Sequence, residues 1–392
     1  MQKRIAHILP YPYVGGTEHG TLRIAKAIDH SRFSNVAFCV KGADPVRSLF
    51  EKAGIPCATH EPPVPSYRHG ITFLSASIAL ARQLKRELVD LVHCADVDAA
   101  HYAALAGRLA ALPVISHVRN RSDSISKRDC SFLWPVRKFV FVSRDTWRHF
   151  ACPVAEQRGT VIYDGIGIPD LNTADRHRVR GELGIPDSTP LVGMTARIHP
   201  QKDFGTLAKA AVRILAEQPE TRFLIVGDYS SASTYREHYS WVQEVLAQRG
   251  VKEAFIFTGI REDALSLLAA LDVFVLSTHW EGLPLVIIEA MAQGLPVVAT
   301  AVDGIPEVVQ HGETGLMHSH ENDAELAAHI LSLLSDRTLR ERIGRAGKHL
   351  VQTRFSTWEF GKNLNELYTQ MIDTPRVSRA STLERPLRQS RQ

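Results

Sequence analysis

The stretch from Val273 to Thr300, VFVLSTHWEGLPLVIIEAMAQGLPVVAT, decides the fold that this sequence predicts. It begins with a short apolar run, Val273–Leu276, continues through a polar loop and ends with a second apolar run, Val297–Ala299. Between the two runs, Leu285–Gln293 has the length and apolar content of a buried helix, and Pro284 suits its first turn. A strand, a loop, a helix and a second strand in this order predict one unit of a parallel sheet covered by helices.

The same alternation of strands and helices extends along the whole chain and predicts the fold class. Short β-branched runs alternate with amphipathic stretches from residue 4 to 143, and the alternation begins again from residue 191 to 299. Gly, Pro, Asp and Asn cluster between Gly165 and Pro190, which predicts a joint between domains. We therefore expect an α/β protein of two tandem doubly wound, Rossmann-like domains that face a cleft. The predicted domains are 1–168 and 169–354, followed by a helical segment, 355–373, and a tail, 374–392.

The composition fits a folded protein of two domains. The chain has 392 residues, of which 44% are hydrophobic and 22% charged, and domains usually have ~100–200 residues. No apolar stretch approaches the ~18–20 residues that a membrane-spanning helix needs. The apolar run after Lys3 and Arg4 meets His7 and Pro10, which favours a first strand over a signal peptide.

The basic charge of the chain is concentrated at its C-terminal end. The formal net charge is +4, and the arginines of residues 374–392 account for all of it. The rest of the chain is neutral, so no nucleic-acid partner is expected. The tail has few large apolar residues, which predicts disorder. Peripheral contact of this basic tail with an anionic membrane is the alternative to a merely solvated end.

The cysteines indicate a reducing environment. They are few, odd in number and widely spaced, with no Cys-x-x-Cys pair: Cys39, Cys57, Cys94, Cys130 and Cys152. This pattern predicts neither a disulfide framework nor a zinc site. We therefore expect a cytoplasmic protein.

Two glycines and two cations follow predicted strands, at the end of a parallel sheet where ligands bind. Gly15 and Gly16 come after the first strand and permit a ligand to approach the backbone at a helix N-terminus. A plain strand-to-helix turn would have a similar sequence. Arg197 and Lys202 follow the first strand of the second domain and suit the charge of a pyrophosphate. Two exposed surface cations are the alternative.

The stretch that opens this subsection also contains two glutamates with seven residues between them. Glu281 lies in the loop, and Glu289 lies about two helical turns further on, in an apolar run where an unpartnered carboxylate is costly. The amides of Gly282, Leu285 and Val286 are placed to meet an anion at the N-terminus of the helix. Two carboxylates in these positions can hold hydroxyl groups at opposite ends of a ligand.

These motifs together resemble a known family. They are similar to the motifs of the retaining nucleotide-sugar glycosyltransferases of family four. The similar parts are the Glu-x7-Glu block, the Arg197 and Lys202 pair, the double glycine, Val226-Gly227-Asp228 and the terminal Phe355-Ser356-Thr357-Trp358. The similarity extends from about residue 4 to 371, and the C-terminal block is its most specific part. It implies the GT-B fold, with an acceptor bound in the first domain and a nucleotide-diphosphate sugar in the second. It also implies that the last helix crosses back to the first domain.

The resemblance assigns roles to single residues. Arg197 and Lys202 would hold the diphosphate, Glu281 would lie near the donor sugar and Glu289 would bind the ribose. Many members of the family have a catalytic histidine at the position that is Arg119 here. His117 lies two residues earlier and can share a face of the strand with Arg119, so either residue is a candidate for that role. His117 as a core histidine is the third possibility.

The resemblance therefore predicts transfer of a sugar from a nucleotide-diphosphate sugar to a saccharide or lipid-linked acceptor, and a hexose is the sugar expected. The configuration at the anomeric carbon is expected to be retained, and no metal is expected to be required. Such an activity is typical of cell-surface polysaccharide or glycolipid synthesis. The basic segment containing Arg119, Arg121, Lys127 and Arg128 suggests an anionic or lipid-phosphate acceptor. A nucleotide-sugar 2-epimerase and a non-catalytic nucleotide-sugar-binding protein are the alternatives. Asp96-Val97-Asp98 resembles the metal-binding motif of another glycosyltransferase fold, but its place at a helix start predicts capping instead.

Overall fold

The computed structural model describes residues 2–122, 124–167 and 173–374, and in them the chain forms two parallel β-sheets covered by helices. The predicted fold class is confirmed, because the two sheets follow each other along the chain and a cleft lies between the two halves. The apolar runs predict strands at 4–9, 36–40, 91–94, 114–118, 139–143, 191–195, 223–226, 255–258, 273–276 and 297–299. All of them are present, with their ends shifted by at most three residues. The predicted tail lies outside the described residues, apart from Thr374.

The first sheet belongs to the N-terminal half of the chain. Its strands are β1 (Lys3–Ile8), β2 (Phe33–Val40), β3 (Cys57–His60), β4 (Leu91–Cys94), β5 (Val114–Val118), β6 (Lys138–Phe141) and β7 (Gly159–Val161). They are parallel and lie in the order β3-β2-β1-β4-β5-β6-β7. The helices of this half are α1 (Gly16–Ala27), α2 (Asp44–Lys52), α3 (Gly70–Arg86), α4 (Val97–Leu109), α5 (Lys127–Cys130) and α6 (Arg144–Arg148). The strand order reverses between β1 and β4, which is where open sheets of this kind bind ligands.

The second sheet repeats this arrangement in the C-terminal half. Its strands are β8 (Leu191–Thr195), β9 (Arg222–Val226), β10 (Phe255–Gly259), β11 (Val273–Leu276), β12 (Val297–Thr300) and β13 (Leu316–His318). They lie in the order β10-β9-β8-β11-β12-β13. The helices are α7 (Thr173–Glu182), α8 (Phe204–Glu217), α9 (Ser233–Gln248), α10 (Ala264–Leu268), α11 (Leu285–Ala292), α12 (Ile305–Val308), α13 (Asp323–Ser335), α14 (Arg337–Arg354) and α15 (Thr357–Asp373). Every residue of β11 is buried, as expected for a strand covered on both faces.

Three strands were not predicted from the sequence, and all three lie at sheet edges. β3 and β7 form the two edges of the first sheet, and β13 forms one edge of the second. They have only three or four residues each and include polar residues or glycine. An edge strand pairs on one side only and needs no continuous apolar run, so its sequence signal is weak.

Helix α15 comes from the end of the described chain but packs on the first sheet. It shares one apolar cluster with β1, β4 and β5, to which it contributes Phe360, Leu364, Leu367, Tyr368 and Met371. The amide of Asp29 donates to Asn365 Oδ1 at 3.0 Å. Gly361 lies so close to the carbonyl oxygen of Ala27 that a Cβ atom would overlap it. The glycine therefore permits the close contact between α15 and α1.

One expectation about the cysteines is wrong. Cys130, at the end of α5, and Cys152, in the loop after α6, form a disulfide with a Cα–Cα distance of 5.3 Å. The two are 22 residues apart in sequence, and only the folding of both loops beside β6 brings them together, so their spacing gave no signal. Cys39, Cys57 and Cys94 are free thiols. Among the described residues, no helix is both long and apolar enough to span a bilayer.

Candidate active site

A cavity of about 890 Å³ lies in the cleft between the two halves. Its walls come from loops at the carboxyl ends of strands, since Arg119 follows β5, Arg197 follows β8 and Glu281 follows β11. Most of the residues singled out in the sequence line this cavity: Gly16, Arg119, Arg197, Lys202, Glu281, Gly282, Leu285 and Val286. Gly15, His117 and Glu289 do not belong to the lining.

The first wall of the cleft is the N-terminus of α1. Gly15 is the N-cap, and its amide donates to Glu18 Oε2 at 2.9 Å. Glu18 is buried, and burial raises the pKa of its carboxyl group. One turn further, Gly20 packs against Arg119 so closely that a Cβ atom would overlap the guanidinium group. Gly20 therefore makes room for the guanidinium group of Arg119 in this wall.

Arg119 is held in place by a buried carboxylate. Its Nε donates to the carbonyl oxygen of Ala95 at 3.2 Å, and its Nη1 donates to Asp164 Oδ2 at 3.0 Å. Nη2 of Arg23 lies 3.6 Å from the same carboxylate oxygen. Asp164 is 3% exposed, so one desolvated carboxylate faces two guanidinium groups. Two further carboxyl groups lie near these cations, since Glu18 interacts electrostatically with Arg119 and Glu289 with Arg23.

His117 is a core histidine behind the wall of the cleft. Its ring is fully buried, with Nδ1 3.3 Å from His93 Nε2 and Nε2 3.8 Å from Asp164 Oδ1. His93 in turn lies 2.6 Å from the hydroxyl of Tyr368 on α15. Burial holds the pKa of His117 well below its usual range, and the charge of Arg119 lowers it further. Of the two candidates for the catalytic position, only Arg119 lines the cavity.

The second wall contains a direct ion pair that the sequence did not predict. Nζ of Lys202 contacts Oε1 of Glu281, and both side chains are largely buried. Glu281 Oε1 also accepts a hydrogen bond from Thr278 Oγ1 at 3.2 Å, and the backbone amide of Glu281 donates to Asp303 Oδ2 at 2.8 Å. Arg197 Nη1 donates to the hydroxyl of Tyr235 at 2.9 Å. Glu281, which was expected beside the donor sugar, therefore also neutralises Lys202, one of the two cations expected beside the phosphates.

Glu289 lies in α11, half-buried among apolar neighbours, as its place in the sequence predicted. Burial raises the pKa of its carboxyl group, and the charge of Arg23 on α1 lowers it in part. A carboxylate kept in these surroundings reduces the stability of the fold. Such a residue is typical of a site in which a ligand satisfies it.

Arg121 and Asp303 are cleft residues whose roles the sequence did not reveal. Arg121 donates through Nε and Nη2 to the two oxygens of Asp145, at 2.8 Å each, and its Nη2 lies 2.7 Å from Asp303 Oδ1 in the second half. In the sequence, Arg121 was noted only as part of a basic segment, and that segment suggested binding of an anionic or lipid-phosphate acceptor. The structure instead engages Arg121 with two carboxylates, one from each half.

The two halves also meet at α12. The carboxylate of Glu307 accepts from the amides of Arg144 and Asp145, at 2.9 and 2.8 Å, and from the hydroxyl of Tyr163 at 2.8 Å. Gly282 lies against the carbonyl oxygen of Arg119, where a Cβ atom would overlap it. These contacts hold the walls of the cavity together. Asp96, by contrast, caps α4 by accepting from the amide of Ala99 at 2.9 Å, as predicted.

Two family models match this chain. Residues 14–168 match the model described as Glycosyltransferase Family 4, and residues 175–350 match the model described as Glycosyl transferases group 1. With two Rossmann-like domains and a cleft lined by cations and carboxylates, the fold and the site define a glycosyltransferase of the GT-B type. The chain belongs to glycosyltransferase family 4.

Relatives and solved structures agree with this assignment. The UDP-Gal:alpha-D-GlcNAc-diphosphoundecaprenol alpha-1,3-galactosyltransferase of Escherichia coli is 24% identical over 94% of this chain and 97% of its own length. A GDP-mannose-dependent mannosyltransferase of monoacylated phosphatidylinositol monomannoside from Corynebacterium glutamicum is 30% identical, over 59% of this chain and 58% of that protein. The structure of Anabaena Alr3699/HepE in complex with UDP has the same fold, with a TM-score of 0.81 and 22% identity over 94% of this chain and 100% of that one.

Replacing Glu289 by Gln should stabilise the protein at neutral pH. A carboxyl group whose folded-state pKa is raised contributes stability below its unfolded-state pKa, and this stability is lost as the pH rises through the folded-state pKa. Glu289→Gln removes that loss, so we expect a Tm higher by a few degrees at pH 7.5 and nearly unchanged at pH 4. Calorimetry at both pH values measures the difference, with the exposed Glu244→Gln as the control. A Tm of the variant that is equal or lower at pH 7.5 would contradict the interpretation.

Proposed function

We propose that the protein transfers a hexose from a nucleotide-diphosphate sugar to a saccharide or lipid-linked acceptor, with retention at the anomeric carbon and no metal ion in the reaction. The observation that carries the proposal is the convergence of Arg197, Lys202 and Glu281 in one cavity, opposite the N-terminus of α1. The relatives support it, since the E. coli protein is named for a donor with UDP and a lipid-diphosphate acceptor.

The donor diphosphate is bound by the second wall of the cleft. Arg197 and Lys202 supply two cations, and Leu285 and Val286 place the N-terminus of α11 at the cavity. When the glycosidic bond breaks, its electron pair goes to the phosphate oxygen, and negative charge grows there. Cations and helix termini that are already in place stabilise this charge without reorganisation, so the leaving group needs no metal.

The acceptor is bound by the first wall. Of the two arginines beside Asp164, Arg119 lines the cavity, and its guanidinium group suits an acceptor that carries phosphate. The acceptor hydroxyl passes its proton to the departing phosphate oxygen, and its own oxygen forms the new bond to the anomeric carbon on the face that the phosphate leaves, which gives retention. Arg119 lies on this side of the cavity and takes the position of the usual histidine, as a fixed cation beside the reacting groups.

The activity can be tested directly with purified protein. Nucleotide hexoses, each with a lipid-diphosphate saccharide or a simple saccharide, are incubated with the protein, and products are identified by mass spectrometry and by the anomeric coupling in NMR spectra. We expect a glycoside with the donor's anomeric configuration, formed at the same rate in excess EDTA. An isomerised sugar from donor alone would identify a 2-epimerase. Donor binding without any turnover would identify a binding protein, and loss of turnover in EDTA with rescue by Mn²⁺ would refute metal independence.

Arg197→Ala and Lys202→Ala should each weaken binding of the nucleoside diphosphate roughly ten- to a hundredfold, because each removes a charge-assisted hydrogen bond of ~1.5–3 kcal/mol. The effect of Lys202→Ala includes the release of Glu281 as an unpaired carboxylate beside the phosphates. Calorimetric titration with UDP and GDP measures both. Lys209→Ala, in α8 and away from the cavity lining, is the control. Unchanged affinity in both variants would mean that the diphosphate binds elsewhere.

Glu281 and Glu289 should affect different kinetic constants. Glu281 lies beside the reacting sugar, where positive charge develops in the transition state, so Glu281→Gln should lower kcat strongly. Glu289 should contact ribose hydroxyls equally in substrate and transition state, so Glu289→Gln should mainly raise KM for the donor. Steady-state kinetics with the donor varied separate the two, and a reversed pattern would exchange the roles.

We also propose peripheral contact with an anionic membrane through α3. Ile71, Leu74 and Ile78 are exposed at helical spacing, and Ile71 is 88% exposed. Exposed cations follow in the last turns of the helix, at 82, 85 and 86, and such a helix can lie in the membrane interface. Sedimentation with anionic vesicles should fall in the double variant Ile71→Ser, Leu74→Ser but not in the double variant Ile260→Ser, Leu265→Ser, which makes the same two changes at another exposed isoleucine and leucine. Equal sedimentation of both variants would exclude α3 as the contact.

A further inference from the structure

A cluster of histidines and a buried carboxylate lies behind the donor wall, outside the residues that line the cavity. Asp203 is the N-cap of α8, His279 lies in the loop after β11 and His320 in the loop after β13. Each of these residues offers a ligand atom, and the three atoms lie within 4.8 Å of one another. The residues come from three loops that are far apart in sequence, so the fold, and not a local motif, assembles the cluster.

The polar atoms of this cluster satisfy one another only in part, because the two histidines are hydrogen-bonded to each other but the carboxylate is bonded to neither ring. Oδ1 of Asp203 accepts from the amide of Thr206 at 2.9 Å, but Oδ2 is buried and has no hydrogen-bond partner. Nε2 of His279 is 4.0 Å from the carboxylate, which is too far for a hydrogen bond. The other ring nitrogen, Nδ1, lies 2.8 Å from His320 Nε2. A buried carboxylate that lacks a partner beside two imidazoles is an arrangement that a cation would complete.

We propose that Asp203, His279 and His320 bind one zinc ion. Two imidazole nitrogens and a carboxylate are a donor set that suits Zn²⁺ and does not suit Mg²⁺, which prefers oxygen and water. Tetrahedral coordination at ~2.0–2.2 Å places ligand atoms roughly 3.3 Å apart. Ligand atoms that are up to 4.8 Å apart reach this spacing by approaching one another by up to about 1.5 Å, to which rotation of the exposed ring of His320 can contribute.

The zinc ion would join the two loops that carry the donor ion pair. Asp203 follows Lys202 directly, and His279 precedes Glu281 by two residues. The loops are already paired through their backbones, since the amide of Asp203 donates to Ser277 O at 3.1 Å and that of His279 to Gln201 O at 2.9 Å. An ion here is structural, because none of its ligands lines the cavity. It is therefore compatible with a transfer reaction that needs no metal.

Zinc titration of the full-length chain, prepared without a polyhistidine tag and stripped with EDTA, tests the proposal. We expect calorimetry to show one Zn²⁺ bound per chain at pH 7.5 and no binding of Mg²⁺. His320→Ala should weaken zinc binding at least tenfold, whereas His349→Ala, at an exposed histidine of α14, should leave it unchanged. Asp203→Ser keeps a residue that can cap α8 and removes the carboxylate, so it should also weaken binding while the protein stays folded.

Substitution of Co²⁺ for Zn²⁺ gives a second readout, because visible absorption of cobalt reports nitrogen ligands and low coordination number. We expect this absorption in the wild type and in His349→Ala and its loss in His320→Ala. Absence of zinc binding, or equal affinity in the wild type, His320→Ala and Asp203→Ser, would overturn the proposal. Since the readout is metal affinity, such a result would leave the transferase proposal untouched.

Discussion

The cleft depends on the ion pair between Lys202 and Glu281. Its two residues follow β8 and β11, which are neighbours in the second sheet, and parallel strands bring their carboxyl ends to the same edge. Because both side chains are largely buried, each needs the other, and removal of either one leaves an uncompensated charge. The pair thereby fixes the position of the loop that leads into α11, and with it the N-terminus of that helix at the cavity. The donor that we propose, with its phosphates and hydroxyls, would meet both members of the pair.

The opposite wall also contains buried groups of opposite charge. Asp164 is a single buried carboxylate between Arg119 and Arg23, and Gly20 leaves the space in which the Arg119 guanidinium lies. Across the cleft, Glu289 keeps a carboxyl group whose pKa is raised by burial. Each of these groups is unfavourable for stability by itself. The presence of such groups in a cleft is typical of a protein that trades stability for function.

Contacts between the halves complete the site. Arg121 connects carboxylates from both halves, and Glu307 accepts hydrogen bonds from the amides at the start of α6. Polar contacts of this kind between domains permit relative motion more readily than a large apolar interface does. The last helix, α15, has the opposite character, since its apolar side chains enter the core of the first sheet. It attaches the end of the described chain firmly to the first half while the cleft contacts stay polar.

The sequence by itself determined the repeated alternation of strands and helices, because buried parallel strands are apolar throughout and their helices have a regular period. It also determined which loops carry the cations and carboxylates, since Arg197, Lys202 and Glu281 directly follow predicted strands. Only the tertiary structure decided the partners. Four features join residues that are far apart in the chain. They are the ion pair of Lys202 and Glu281, the bridge of Arg121 to Asp303, the placement of His117 behind the wall and the disulfide of Cys130 and Cys152. Such contacts depend on how the sheets and loops close over one another, and no local period or spacing encodes that closure.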